Sequence, residues 1–366
     1  MKHKAYASGV NFDEWDAIER EFAARLDGAE TDAQIETVLS EMLANFKCSH
    51  LSILKPREVA ERTAGIRTGP GLTTQQMNGA LLVCSVVDDG PAAEIGLRPG
   101  DLITAVDGRN PTASSLSGPA GEQRLLAWRS EESDRSSVLI FREHRRASPD
   151  LLTFLQDGTA VISVHSFSDR LYDPAVIKEM FDRAQSAPAL ILDLRSNKGG
   201  NAANVEHLIG QVTVLRTAVC VDIYRDDADE TRAAHPGSTP KPTEIVAHVA
   251  PNGRSIITPP DETIYSGPMA VLVDSQCGSG GELTPFTLQR IGRAIVVGTP
   301  TPGRVRIGSN FKLVAGFEIQ APIGEFVASD GSIIEGVGVR PDVLLTPQQT
   351  ARDAACLAAA RLALRP

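Results

Sequence analysis

From residue 150 onward, apolar runs of strand length alternate with helical patterns, and this alternation restricts the fold more than any other feature of the chain. TAVISVHSF reads as a strand, PAVIKEMFDRAQ as a helix, ALILDLR as a strand and AANVEHLIGQV as a helix. PMAVLVD, GELTPFTLQRI and RAIVVG repeat the cycle, and ARDAACLAAARLAL adds a terminal helix. Apolar strands joined by helical crossovers build a largely parallel sheet covered on both faces. The crossovers are expected to be right-handed, and functional loops are expected at the carboxyl ends of the strands. The polar, Pro- and Gly-bearing stretch DDADETRAAHPGSTPKPTE reads as a surface loop able to serve as a lid.

Two strand ends carry glycine-rich turns. In GSGGELTPFTLQ, Ser279 falls where a strand gives way to a helix, between Gly278 and the pair Gly280 and Gly281. Such neighbours let the backbone turn sharply and approach a substrate closely. Pro285 is tolerable in the first turn of the helix. Ser279 is a candidate nucleophile; the competing reading is a glycine-rich turn with an incidental serine. Cys277 is a rival nucleophile two residues away, and it occupies the first glycine position of a G-x-S-x-G elbow, so an α/β-hydrolase elbow is not supported. The second turn, DLRSNKGG, offers the N–H groups of Gly199 or Gly200 to a developing oxyanion. A phosphate-cradling turn is its alternative, but no Walker pattern is present. Asp193 and Arg195 are expected to form structural hydrogen bonds.

The first 150 residues behave differently. FDEWDAIEREFAARL and TDAQIETVLSEMLANF read as two helices, the second capped by Thr31, and SHLSILKP reads as a short strand stopped by Pro56. Residues 57–145 hold short strands such as ALLVCSVV and SSVLIFREH between turn clusters. Their central phrase, DDGPAAEIGLRPGDLITAVDG, resembles the GPAxxxGLxPGDxIxxVDG core of a PDZ domain. That resemblance implies peptide binding by addition of an extended strand to a sheet edge. The carboxylate-binding loop would fall near Gly65, Ile66 and Arg67. The chain thus divides into an N-terminal helical domain (1–56), a small PDZ-like β-rich domain (57–145) and an α/β domain with a mixed, largely parallel sheet and flanking helices (146–366).

At 366 residues the chain needs more than one core. A net charge of −10 argues against a nucleic-acid partner. The five cysteines are scattered singly, which suggests neither a disulfide framework nor a zinc site. There is no apolar run of membrane-spanning length, and MKHKAYASGVNF lacks an apolar signal core, so the default expectation is a cytoplasmic protein.

DLRSNKGG, SGGEL about 80 residues later, RAIVVGTPTPG and EGVGVRPD occur in an order similar to that of the C-terminal processing peptidase and tricorn protease family. The resemblance implies a serine peptidase acting on peptides or unfolded protein tails without metal or cofactor, and a homo-oligomer is compatible with it. It makes Ser279 the nucleophile and puts the oxyanion hole at Gly199, Gly200 and Gly280. Processing peptidases use a lysine base, but the matching position here is Arg304, 25 residues after Ser279 (304 − 279). An arginine stays protonated and cannot be a general base. The tricorn-like branch implies instead a histidine and a glutamate, matched to His165 in VISVHSF and Glu335 in EGVGVRPD. It also implies a serine before the histidine, where this chain has Val164. Ser49–His50 resembles a short Ser-His phrase after the helices of this family and is read as packing. The rival function is a non-catalytic relative that binds peptides or apolar ligands, for which Arg304 and the missing serine speak.

Overall fold

The structure is a computed structural model that describes residues 3–131, 133–213, 220–235, 241–249 and 264–365. In chain order the strands are β1 (Ser52–Leu54), β2 (Ile66–Gly69), β3 (Leu72–Met77), β4 (Ala80–Val86), β5 (Leu102–Val106), β6 (Gln123–Arg129), β7 (Asp134–Ile140), β8 (Arg142–Arg145), β9 (Leu151–Phe154), β10 (Ala160–Ser163), β11 (Leu190–Asp193), β12 (Cys220–Tyr224), β13 (Met269–Val273), β14 (Ile295–Gly298), β15 (Arg306–Lys312), β16 (Glu318–Ala328) and β17 (Val343–Leu344). The helices are α1 (Trp15–Asp27), α2 (Asp32–Ala44), α3 (Pro56–Ala64), α4 (Pro91–Glu94), α5 (Pro174–Ala184), α6 (Ala202–Gly210), α7 (Arg225–Ala234), α8 (Pro242–Val249), α9 (Gly280–Arg290), α10 (Pro347–Ala351) and α11 (Asp353–Ala363).

The chain forms two compact units whose borders differ from the sequence divisions at 56 and 145. One gathers the described residues of Met1–Ala64, Thr217–Ile256 and Arg304–Gly336. Its sheet is antiparallel: β16 pairs with β1, β12 and β15. A capping box between Thr31 and Gln34 starts α2, as the sequence predicts. Phe12, Trp15 and Phe46 stack with ring centroids 5.2 Å apart in each pair that includes Phe46. They share a core with Met42, Leu43, Ile53 and Ile319. The N-terminal helices therefore belong with strands from the far end of the sequence. The stretch expected to be a surface loop starts with a helix, α7. Asp227 Oδ2 accepts the N–H of Tyr224 at 2.8 Å and caps it. Ala228 packs against Ile245 and Val246 of α8. The sequence hid this helix because so few of its residues are apolar; residues 236–240 of that stretch lie outside the described residues.

The second unit gathers the described residues of Gly65–Arg216, Ile257–Gly303 and Val337–Pro366. Its first part is a five-stranded antiparallel sheet in the order β3-β4-β5-β6-β7, closed over Leu81, Val83, Ile103, Leu126, Trp128 and Leu139. The larger sheet runs β17-β14-β13-β11-β10-β9, parallel except for β9. Successive strands from β10 to β14 step in one direction, so right-handed crossovers put α5, α6 and α9 on one face. On the other face α11 brings Cys356 and Ala360 against Val161, Ile191, Ala270, Leu272 and Val297. The two sheets of this unit are fastened together. Leu82 and Cys84 of β4 bury against Ala351 of α10. Gln75 Oε1 on β3 accepts from Ser275 Oγ at 2.8 Å. Among the described residues no helix is long and apolar enough to cross a membrane.

Candidate active site

Strand β13 ends at Val273, and the next six residues turn the chain into α9. Ser279 closes that turn with φ 51° and ψ −120°. A side chain at such an angle is strained by about 1–3 kcal/mol and persists only where its surroundings impose it. Two loops impose it here. Asp274 Oδ1 accepts the N–H groups of Ser196 and Gln276, each at 2.9 Å, and Oδ2 accepts Ser196 Oγ at 3.0 Å. Asn197, fully buried, accepts the N–H of Gly278 on its carbonyl at 3.0 Å and donates Nδ2 to Val164 O at 2.9 Å. Behind the turn, Glu282 is also fully buried and accepts from Thr301 Oγ1 and, at 2.7 Å, from Gly303 N. Nothing in the sequence pattern marks Asn197, Asp274 or Glu282 beyond their places in the two turns. Ser279 Oγ itself makes no hydrogen bond among the described residues. It is held in position and its hydroxyl is free.

The glycine loop lies against this turn, as the sequence requires, but its donors are fewer than expected. The N–H of Gly199 is taken by Asn197 Oδ1 at 2.8 Å in a buried bond, so Gly199 does not serve an oxyanion in this conformation. The N–H groups of Gly200 and Gly280 have no partner among the described residues. Gly280 opens α9, where orphan N–H groups and the helix dipole favour negative charge. The role of Gly199 is close approach: at φ 85°, a Cβ there would lie 2.6 Å from both Ser279 Cβ and Gly280 N. Gly199→Ala is therefore expected to displace the turn and slow hydrolysis by roughly 10²–10³, the cost of losing one oxyanion donor. Steady-state kinetics alongside circular dichroism checks this; a folded variant at full rate would show that the turn does not depend on this approach.

Cys277 is not a competitor. It is 2% exposed, points its thiol at Leu194 O at 3.2 Å, and burial pushes its pKa well above the ordinary thiol value. A nucleophilic cysteine needs the thiolate.

Among the described residues His165 makes no hydrogen bond to Ser279. Val161 of β10 packs against α11, and His165 lies two residues beyond the end of that strand. Its N–H donates to Asp150 Oδ1 at 2.9 Å, and its Nδ1 lies 3.8 Å from that oxygen. Asp193 and Arg195 are the structural pair expected, with Arg195 Nε 2.9 Å from Asp193 Oδ1 and Nη1 bonded to Thr350 O at 2.7 Å. Gly65, Ile66 and Arg67 do not form an open carboxylate loop either. Residues 66–69 form β2 and are laddered to β8, with Arg67 opposite His144.

Glu335 belongs to the first unit, in a cluster with its own logic. Its Oε2 accepts the N–H of Val305 at 2.9 Å, and its Oε1 lies 3.2 Å from Arg306 Nε. Arg306 Nη1 reaches Cys48 Sγ at 2.8 Å. In the same unit, Ser49 Oγ is 3.0 Å from His50 Nδ1. His50 has φ 57° and its ring is packed on strand β15, where a Cβ at Gly308 would come within 3.2 Å of Cδ2. Burial lowers its pKa below the ordinary 6.5; the charge of Glu335 opposes this and those of Arg306 and Arg304 assist it. The Ser49–His50 pair, read from sequence as packing, is thus a hydroxyl–imidazole pair with an acid acting on it. The signal was present: a serine directly before a histidine is the order that Val164–His165 lacks. Arg304 is exposed. Among the described residues, no group of three or more His, Cys, Asp or Glu is arranged to hold a metal ion.

A strained serine with a free hydroxyl, next to unpaired N–H groups at a helix start, is an arrangement that suits acyl transfer in a hydrolase. The profile of Peptidase family S41 matches residues 158–345, just over half of the chain, and that of the PDZ domain matches residues 82–129; the chain belongs to Peptidase family S41 and is a serine-type peptidase with a PDZ domain. It is 22% identical to the carboxy-terminal-processing protease of Bartonella bacilliformis over 85% of this chain and 69% of that one. It is 25% identical to the chloroplastic carboxyl-terminal-processing peptidase 2 of Arabidopsis thaliana over 88% of this chain and 62% of that one. Among solved structures, the photosystem II D1 C-terminal processing protease has the same fold, with a TM-score of 0.56 at 19% identity, covering 94% of this chain and 97% of that one. Mature CPAF complexed with lactacystin gives a TM-score of 0.60 at 14% identity, over 97% and 92%.

Proposed function

We propose that the chain hydrolyses peptide bonds in extended or unfolded protein tails. Ser279 Oγ attacks the scissile carbonyl, the N–H groups of Gly200 and Gly280 hold the oxyanion, and a histidine takes the serine proton and returns it to the leaving amine. The observation that carries this reading is Ser279 itself, strained, free at Oγ and set before the orphan N–H groups of α9. For the base, we favour His50 over His165. His50 carries the preceding serine and has the charge of Glu335 acting on it, as a tricorn-like arrangement requires, and burial lowers its pKa, which favours the neutral form that a base needs. Arg304 in the lysine position then marks a change of base and not a loss of catalysis.

The PDZ part supplies the tail. Strand β3 is an edge of its sheet, where an extended peptide can add as a further strand. Thr73 Oγ1 of β3 lies 3.5 Å from Ser196 Oγ, in the glycine loop beside the nucleophile. A tail captured on that edge therefore starts close to the loop that holds Ser279. The test is degradation of casein together with labelling by a fluorophosphonate. The expected result is cleavage of casein and a single adduct at Ser279 by mass spectrometry. A folded protein that neither cleaves nor labels would instead be a binding relative of the same fold.

A further inference from the structure

We propose that Arg306 is a positioning residue that fixes the carboxylate of Glu335 beside His50. The inference rests on the reading of His50 as the base and adds the group that sets its acid.

Arg306 is the first residue of β15 and is only 8% exposed. A buried guanidinium is costly unless its donors find partners. Its Nη1 is satisfied by Cys48 Sγ at 2.8 Å. Its Nε lies 3.2 Å from Glu335 Oε1 but off the hydrogen-bond direction, so the attraction there is between charges in contact. The other carboxylate oxygen is taken by Val305 N–H, from the preceding residue. One dipeptide, Val305–Arg306, thus grips both oxygens of Glu335. The same guanidinium reaches the residue two before His50. Arg306 therefore ties the segment carrying Ser49–His50 to the segment carrying Glu335, two segments far apart in sequence.

The charges acting on His50 are those of Glu335, Arg306 and Arg304, and Cys48 and Glu325 stand in the same cluster. Burial is the largest influence on the imidazole and lowers its pKa, Glu335 raises it, and Arg306 and then Arg304 lower it. Removing Arg306 leaves Glu335 less opposed. The imidazole then holds its proton to higher pH, and the acid limb of kcat/KM moves to higher pH. A loosened Glu335 also misplaces the ring, and an error of about 1 Å in catalytic geometry can lower a rate about 10²-fold.

Arg306→Gln and Arg306→Lys, each in the full chain, separate this role from plain structural support. His50 is followed by NMR through its ring protons, assigned by their absence in His50→Ala, and kcat/KM is measured against pH. For Arg306→Gln the expected results are a His50 titration and an acid limb both displaced to higher pH, with a rate at neutral pH about 10²-fold lower. Arg306→Lys keeps the charge and loses the fork, so the titration is expected to return towards wild type while kcat stays reduced. If Arg306→Gln fails to fold, the lysine variant alone decides: wild-type kcat and an unmoved pH profile would overturn the proposal. An unmoved His50 titration in folded Arg306→Gln would overturn it as well. Full activity of His50→Ala would remove the base assignment, whereas the NMR titration reports the hold of Arg306 independently of catalysis.

Discussion

Ser279→Ala is expected to abolish peptide-bond hydrolysis while leaving the fold and its stability almost untouched. The asymmetry follows from the geometry. Ser279 Oγ caps no backbone group and donates to no side chain, so its removal deletes no stabilising bond. The left-handed angle is imposed by Asn197 and Asp274, whose bonds do not involve the serine side chain. Alanine inherits the strain and nothing else changes. Catalysis loses the atom that forms the acyl bond, and removing a serine nucleophile costs roughly 10⁶ in kcat in well-studied serine peptidases. Cys277 cannot stand in for it, because its thiol is buried and held neutral. Casein degradation and thermal denaturation of the variant beside wild type make the check. Substantial residual cleavage by the folded variant would move the nucleophile elsewhere.

The large sheet was legible because its signal is local. Runs such as ALILDLR and PMAVLVD are apolar throughout and therefore buried on both faces, and they became β11 and β13. The two glycine turns were legible for a similar reason: glycines at positions requiring left-handed angles or close approach can be recognised without their partners. The competition for donors was not. That Asn197 occupies the N–H of Gly199 depends on where a side chain two residues away points. His165 drew attention as a histidine just beyond a buried strand, and its neighbour Asp150 could not be foreseen from the sequence pattern. His50 was passed over because its environment is assembled from afar. The residues acting on it, Arg304, Arg306 and Glu335, lie more than 250 positions away, and nothing around CSHLSIL indicates that they will arrive. Helix α7 failed for want of an apolar stripe, since capping by Asp227 and burial of few side chains suffice to hold it.

The two histidines give the second large effect: one variant is expected to lose activity and the other to keep it. His50→Ala is expected to lower kcat/KM by about 10²–10⁴, the usual contribution of a positioned general base. His165→Ala is expected to stay within a few-fold of wild type, because the hydrogen bond that ties His165 to Asp150 comes from its backbone N–H and survives the substitution. The pH dependence adds a check that needs no mutation. A base must be neutral to accept a proton, so kcat/KM rises with pH through the pKa of that base and is flat above it. Burial puts the His50 pKa below the ordinary 6.5, so the acid limb is expected below that value. A lysine base would place the limb near or above neutrality, since even a buried catalytic lysine is typically tuned to about 7–8. Peptide hydrolysis measured from pH 5 to 9 therefore distinguishes the bases before any variant is made. An acid limb below 6.5 that disappears together with activity in His50→Ala would assign the proton to His50. The reverse pattern, with His50→Ala active and His165→Ala inactive, would return it to His165.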